Sequence, residues 1–111
     1  MDSLDNPLQG IEDAKHNGTL LYCGYALRRM IERNFHVGRI GEALNCPDVE
    51  ILENYPRVGR PSPECLILGK DGQGKFIHIL VAYPMAEIIT VYEPMLPRWK
   101  SPRERTKKNA L

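Results

Sequence analysis

The sequence predicts an α+β fold in which N-terminal helices pack on one face of a four-stranded antiparallel sheet. Three β-rich runs follow one another in the second half of the chain, at residues 64–69, 75–82 and 87–92. The segments between them, Asp71–Gly74 and Tyr83–Met85, are too short to hold a crossover helix. Consecutive strands must therefore be joined as antiparallel hairpins.

Three helices are expected before the sheet, near residues 7–17, 24–34 and 37–45. Pro7 suits the first position of the first helix, and Gly18 supplies its C-terminal stop. In the second helix the apolar residues recur at spacings of three to five and predict one buried stripe. That stripe consists of Ala26, Leu27, Met30 and Ile31. Cys46-Pro47 ends the third helix.

The remaining apolar runs complete the sheet. Residues 19–23 predict a first edge strand or an extended lead-in, and residues 49–55 are expected to open the four-stranded sheet. Three prolines and a glycine between Pro56 and Pro63 predict an irregular loop. The core is expected to consist mostly of Leu27, Met30, Ile31, Ile40, Leu44, Leu66, Leu68, Ile77, Ile79, Val81, Ile89 and Val91.

Length and composition indicate one domain, residues 1–99, because 111 residues with 42% apolar and 26% charged side chains suffice for a single core. No apolar run is long enough to span a bilayer, and the N-terminus is acidic where a signal peptide would be basic. We therefore expect a cytoplasmic protein without a membrane partner.

Cys23, Cys46 and Cys65 are odd in number and contain no C-x-x-C pair. This spacing argues against a disulfide framework and against a structural zinc site. His16 and His36 do not supply the short spacing that usually anchors a metal either. We expect buried reduced thiols, no metal and no cofactor.

Charge is distributed unevenly. Residues 1–56 contain five basic and nine acidic side chains, whereas residues 98–111 contain six basic and one acidic. Residues 100–111 offer no apolar stripe, which predicts a flexible basic tail whose removal leaves the folding stability nearly unchanged. Such a tail can attract phosphates.

Several segments of the chain, taken in order, form one pattern: Ile11–Ala14, Tyr25–Arg33, Glu53–Pro56, Cys65–Gly69, Ile77–Ile79, Ile89–Pro94 and Trp99. This pattern resembles the small prokaryotic family known as domain of unknown function 4258, over roughly residues 11–99. The family is distantly similar to the RelE and BrnT type toxins, which are small α+β ribonucleases. The resemblance implies a RelE-like fold, RNA as a substrate and an antitoxin-like protein as a partner. Members usually have His where this chain has Tyr25.

A metal-independent ribonuclease of this kind needs a base for the 2′-hydroxyl, cations for the phosphate and a donor for the leaving oxygen. The candidate catalytic residues are Arg60, His78 and Tyr92. The candidate RNA-binding residues are Arg29, Arg33, Arg98 and Trp99.

Each candidate has a structural alternative. Arg28 can pair with Glu32 on the helix surface. His78 can be a semi-buried, hydrogen-bonded histidine, and Tyr92 a core aromatic. Trp99 can stack on a base or pack the end of the chain onto the sheet. The alternative function is a non-catalytic protein-interaction or RNA-binding module on the same fold.

Overall fold

The computed structural model describes residues 7–18, 20–55, 62–83 and 86–106. Within these ranges the chain forms three helices, and they begin and end close to the predicted bounds: α1 (Pro7–Asn17), α2 (Gly24–Glu32) and α3 (Val37–Asn45). Their ends follow local chemistry. Gly18 has a positive φ of 74° after α1, the Cys23 side chain accepts a hydrogen bond from the Ala26 amide at the start of α2, and Cys46 caps α3.

The sheet has five strands in the order β1-β5-β4-β3-β2. These strands are β1 (Leu21–Tyr22), β2 (Glu50–Tyr55), β3 (Glu64–Lys70), β4 (Phe76–Ala82) and β5 (Glu87–Tyr92). The pairs β2–β3, β3–β4 and β4–β5 are antiparallel, as the short connections predicted. The prediction of four strands was incomplete, because β1 pairs in parallel with β5 and makes the sheet mixed. Its two residues lie within residues 19–23, for which the sequence predicts an edge strand or an extended lead-in.

The helices cover one face of this sheet. Ile67, Ile77, Ile79 and Val91 point from three neighbouring strands into a core that also contains Ile40 of α3. Leu44 is half-buried against the same core. The alternation along β3 and β4 therefore follows the period of two that places every second side chain on one face.

The predicted stripe on α2 was half wrong. Ala26 and Met30 are buried, but Leu27 is 47% exposed and Ile31 is 80% exposed. Ala26 and Met30 are four residues apart and form one row on the helix surface, which faces β5. Leu27 and Ile31 form the adjacent row, which faces outward. Spacing alone did not distinguish these two adjacent rows, since both are apolar.

A bulge changes the register in β5. Leu80 pairs with Thr90, but the next residue, Val81, pairs with Ile88. The extra residue, Ile89, is half-buried, while Ile88 is fully buried. The prediction of Ile89 as a core residue was therefore wrong by one position, because a bulge shifts which side chains face the core.

The other face of the sheet is covered by a second, two-stranded sheet, β6 (Trp99–Ser101) and β7 (Glu104–Arg105). Leu66 and Leu68 are buried on this face rather than beneath the helices. Residues 100–106, which the sequence assigned to a flexible tail, instead form this hairpin, and residues 107–111 lie outside the described residues. In the part of the chain that the structure describes, no helix is long and apolar enough to cross a membrane.

Candidate nucleic-acid interface

A cleft lies along the outer edge of β5. Strand β1 pairs with Glu87 and Ile88, and within the described residues the rest of β5 has no neighbouring strand on that side. Two side chains satisfy backbone carbonyls along this edge. The Cys23 thiol donates to the carbonyl oxygen of Ile89 at 3.4 Å, and Nη1 of Arg33 donates to that of Val91 at 2.8 Å. These bonds attach α2 to β5 and leave a cleft between α2 and the segment that follows β5.

The cleft has a volume of about 630 Å³. Four arginines and one glutamate line it, together with aromatic and apolar side chains: Tyr25, Arg29, Arg33, Phe35, Arg39, Thr90, Tyr92, Glu93, Met95, Leu96, Pro97, Arg98 and Trp99. This excess of positive charge in a concave site favours an anionic ligand.

Three arginines predicted to bind RNA meet in this cleft. Arg29 comes from α2, Arg33 caps the C-terminal end of α2, and Arg98 comes from the segment between β5 and β6. Arg29 pairs with Glu32 at 3.1 Å, so the surface pair on this helix uses Arg29 and not Arg28. Within the described residues, the buried Nε of Arg29 has no hydrogen-bond partner.

Two charged lining residues were missed by the sequence reasoning. Arg39 of α3 binds Asp71 through Nε at 2.9 Å and Glu93 through Nη2 at 2.6 Å, and its guanidinium lies 4.3 Å from the centre of the Phe35 ring. Arg39 thereby fixes Glu93 at the end of β5. An arginine on the polar side of α3 was visible in the sequence, but its two carboxylate partners are 32 and 54 residues away.

Asp71 anchors this network in the β3–β4 turn. Burial would raise the pKa of its carboxyl group, but hydrogen bonds from the backbone of Lys75, from Arg39 and from the backbone of Gln73 outweigh burial and lower the pKa below its usual value. The carboxylate is therefore charged at neutral pH and holds Arg39 in place.

His78 and Tyr92 form a hydrogen-bonded pair beneath the cleft. His78 is fully buried; its Nδ1 lies 3.2 Å from the Tyr92 hydroxyl and its Nε2 lies 2.7 Å from the carbonyl oxygen of Pro102. Burial lowers the pKa of His78 and raises that of Tyr92. His78 is thus a neutral buried histidine, and its hydrogen-bond partner Tyr92 is half-buried and lines the cleft.

Trp99 lies at the border of the cleft but is only 3% exposed. Its ring contacts the ring of His78 edge-on at 4.3 Å, and the Arg105 guanidinium lies 4.5 Å from its centre. This geometry fits the alternative in which Trp99 packs the end of the chain onto the sheet. Tyr25 is the aromatic lining residue with an accessible ring, 54% exposed and 5.8 Å from the Arg29 guanidinium.

The basic residues of the hairpin are paired with β2. Arg103 forms an ion pair with Glu50 at 2.7 Å, and Arg105 forms one with Glu53 at 2.7 Å. Arg105 also donates to the Tyr55 hydroxyl at 3.0 Å. Part of the charge that the sequence assigned to phosphate attraction is therefore compensated within the molecule. The predicted catalytic Arg60 lies outside the described residues.

The three cysteines are not paired with each other. Burial raises the pKa of the Cys65 thiol to about 12, so that thiol is protonated and unsuited to metal binding. Across the described ranges, no group of three or more histidine, cysteine, aspartate or glutamate side chains could hold a metal ion.

A sequence model of the family described as "Domain of unknown function (DUF4258)" matches residues 25–93. That range includes α2 from its second residue onward, α3, the strands β2 to β5 and Glu93 of the cleft. No curated protein and no solved structure matches the chain. The predicted likeness to toxins of the RelE type stays a prediction.

Proposed function

The chain belongs to the family described as domain of unknown function DUF4258, and from this membership and the geometry of the cleft we propose that it binds single-stranded RNA. The observation that carries the proposal is the meeting of Arg29, Arg33 and Arg98 from two separate segments at one cleft. The guanidinium group of an arginine can donate hydrogen bonds to two oxygens of one phosphate. Three arginines along a cleft therefore suit a phosphodiester backbone.

Two of these arginines are available for phosphates. Arg33 and Arg98 are both exposed, and neither forms an ion pair with a carboxylate of the described residues. Arg33 uses Nη1 for the carbonyl oxygen of Val91, which fixes its direction and leaves its other N–H groups for a ligand. A guanidinium that is already oriented loses less conformational entropy on binding.

Tyr25 supports a single-stranded ligand. Its accessible ring, at the rim beside Arg29, offers a stacking surface for an unpaired base. Bases in a duplex stay stacked on each other and do not reach such a ring, whereas loops and single strands can present theirs.

Anisotropy of a fluorescent uridine 12-mer, titrated with protein in chelator at several salt concentrations, tests this proposal. Arg33→Gln and Arg98→Gln are each expected to weaken binding and to reduce the magnitude of the salt slope by about 0.7. Arg28→Gln is the matched control, because Arg28 is exposed on the same helix but does not line the cleft. It removes the same charge and should change binding little.

Two results would contradict RNA binding at the cleft. One is a uridine 12-mer that does not bind at low salt. The other is an Arg28→Gln variant that weakens binding as much as Arg33→Gln, since that would indicate a general effect of net charge.

Metal-independent cleavage, as in ribonucleases of the RelE type, is a second candidate favoured by the Tyr92–His78 pair. In that reaction the 2′-oxygen attacks phosphorus and the bond to the 5′-oxygen breaks. The 2′-hydroxyl proton moves to the Tyr92 oxygen while the Tyr92 proton moves to Nδ1 of His78, and the leaving 5′-oxygen takes a proton from water. An antitoxin-like protein partner belongs to this candidate.

Binding ranks before cleavage because burial lowers the pKa of His78 and makes it a poor proton acceptor. Incubation of labelled RNA in chelator, followed by a denaturing gel, distinguishes the two. Cleavage by the unaltered protein that disappears in Tyr92→Phe would favour the ribonuclease. Intact RNA with retained binding would restrict the function to binding.

A further inference from the structure

We infer that the Tyr92 hydroxyl accepts a hydrogen bond from the ribose 2′-hydroxyl of a nucleotide in the cleft, so that the site selects RNA over DNA. The inference rests on the proposed binding of single strands. It adds a specificity-determining residue and the sugar chemistry that this residue reads.

The first step concerns the proton on His78. A backbone carbonyl oxygen can only accept, so the 2.7 Å contact with Pro102 requires that Nε2 of His78 carries the hydrogen. The ring is fully buried, and burial lowers its pKa, so the ring carries only that one hydrogen at neutral pH. Its Nδ1 is therefore an acceptor.

The second step concerns Tyr92. Its hydroxyl lies 3.2 Å from Nδ1 of His78, and since that nitrogen accepts, the single hydroxyl hydrogen of Tyr92 must be donated to it. Tyr92 lines the cleft. Its oxygen has no hydrogen left for a ligand there, so it can only accept a hydrogen bond.

The third step compares this acceptor with the parts of a nucleic acid. Phosphate oxygens only accept, so they gain nothing from Tyr92 and are held by the arginines. A ribose 2′-hydroxyl can donate, and deoxyribose has no such group. Guanidinium donors for phosphate and one fixed acceptor for a hydroxyl in the same cleft match the backbone of RNA.

The test uses three single-stranded uridine 12-mers that differ only at the 2′ position: ribose, 2′-deoxy and 2′-fluoro. Affinities are measured by anisotropy in chelator, and a denaturing gel checks that the bound strands are intact. One neutral hydrogen bond predicts that the ribose strand binds about three- to tenfold more tightly than the deoxy and fluoro strands. The fluoro strand keeps an RNA-like sugar shape without the donor, and separates shape from hydrogen bonding.

Two variants locate the effect. Tyr92→Phe should lower the affinity for the ribose strand to that for the deoxy strand and leave the deoxy affinity unchanged. Thr90→Val, which removes another hydroxyl that lines the same cleft, should keep the ratio. Tyr92→Phe also removes a hydrogen-bond partner of buried His78, so the melting temperature of this variant is measured to check that it is folded. The comparison of the three strands uses the unaltered protein and does not depend on any variant.

The outcomes separate this inference from the proposed function. Equal affinity for all three strands overturns selection by the 2′-hydroxyl while RNA binding stands. Equal affinity for the ribose and fluoro strands, both above deoxy, also overturns it, because the site would then read sugar shape. Binding of no strand overturns both.

Discussion

Nε2 of His78 lies 2.7 Å from the carbonyl oxygen of Pro102 and joins the centre of the sheet to the C-terminal hairpin. His78 is on β4, a central strand, and Pro102 is in the turn between β6 and β7. A buried imidazole needs a partner for each nitrogen, and the hairpin supplies one of them. The hairpin thereby takes part in folding and also fixes the proton on His78 that directs the hydroxyl of Tyr92.

Deleting residues 101–111 is expected to destabilise the fold, in contrast to the expectation from the sequence. The deletion removes the Pro102 carbonyl and leaves Nε2 of His78 without that partner, which costs about 1–3 kcal/mol. It also uncovers part of the face that contains Leu66 and Leu68. The exposed pair of Arg103 and Glu50 contributes little. Urea unfolding measures the difference.

The control for this truncation is deletion of residues 107–111, which keeps Pro102 and both hairpin strands. It should unfold at the same urea concentration as the full chain. If the longer deletion is equally stable, the hairpin does not contribute to the free energy of unfolding.

Acidification is expected to lower the free energy of unfolding as the pH falls below 6.5. Burial lowers the pKa of His78 from its ordinary value of 6.5, outweighing the hydrogen bond to Pro102 and the charge of Glu53. Below pH 6.5 the unfolded chain binds a proton at this position before the folded chain does. Stability is therefore fully present above that pH and falls by at most about 1.4 kcal/mol per pH unit through this group.

Urea unfolding at pH 7.5, 6.5 and 5.5 measures this slope. A His78→Gln variant should lose most of it, whereas His16→Gln, at an exposed position of α1, should keep it. An unaltered protein that becomes more stable between pH 6.5 and 5.5 would contradict a neutral buried His78.

The bounds of the helices were predictable because their signals are local. Gly18 ends α1 with a positive φ, and Cys46-Pro47 ends α3. The pairing of β1 with β5 was not predictable, since two residues carry no periodicity. The hairpin was missed because its ion pairs with Glu50 and Glu53 join residues about fifty positions apart.

The candidate site was predictable as residue types but not as a cleft. Arg29, Arg33 and Arg98 were identified from their charge and exposure, and only the packing of α2 on β5 brings them together. Arg39 and Glu93 were missed because their ion pair forms between α3 and the end of β5. Neither the packing of α2 on β5 nor the ion pair between Arg39 and Glu93 can be predicted from a sequence pattern.

A matched pair of isoleucines tests how α2 and α3 face the sheet. Ile40 of α3 is fully buried, so Ile40→Ala is expected to cost about 2–5 kcal/mol. Ile31 of α2 is 80% exposed, so Ile31→Ala should cost less than about 0.5 kcal/mol. Denaturant midpoints compare them. A cost above about 2 kcal/mol for Ile31→Ala would restore the buried stripe predicted from the spacing.

Gly69 of β3 sets how closely α3 approaches the sheet. A Cβ added there would lie 2.4 Å from the carbonyl oxygen of Ala43, and the backbone of α3 cannot yield as a flexible side chain would. Gly69→Ala is therefore expected to cost about 1–3 kcal/mol or more, as overpacking does.

Gly24→Ala is the control, because a Cβ at Gly24 meets no atom within 4 Å. It should be neutral or stabilise α2 by up to about 1 kcal/mol, since alanine favours a helix over glycine. Thermal unfolding of both variants measures the contrast. Equal melting temperatures would mean that α3 does not lie against β3 at this distance, and the position of Arg39 at the cleft would then lose its structural basis.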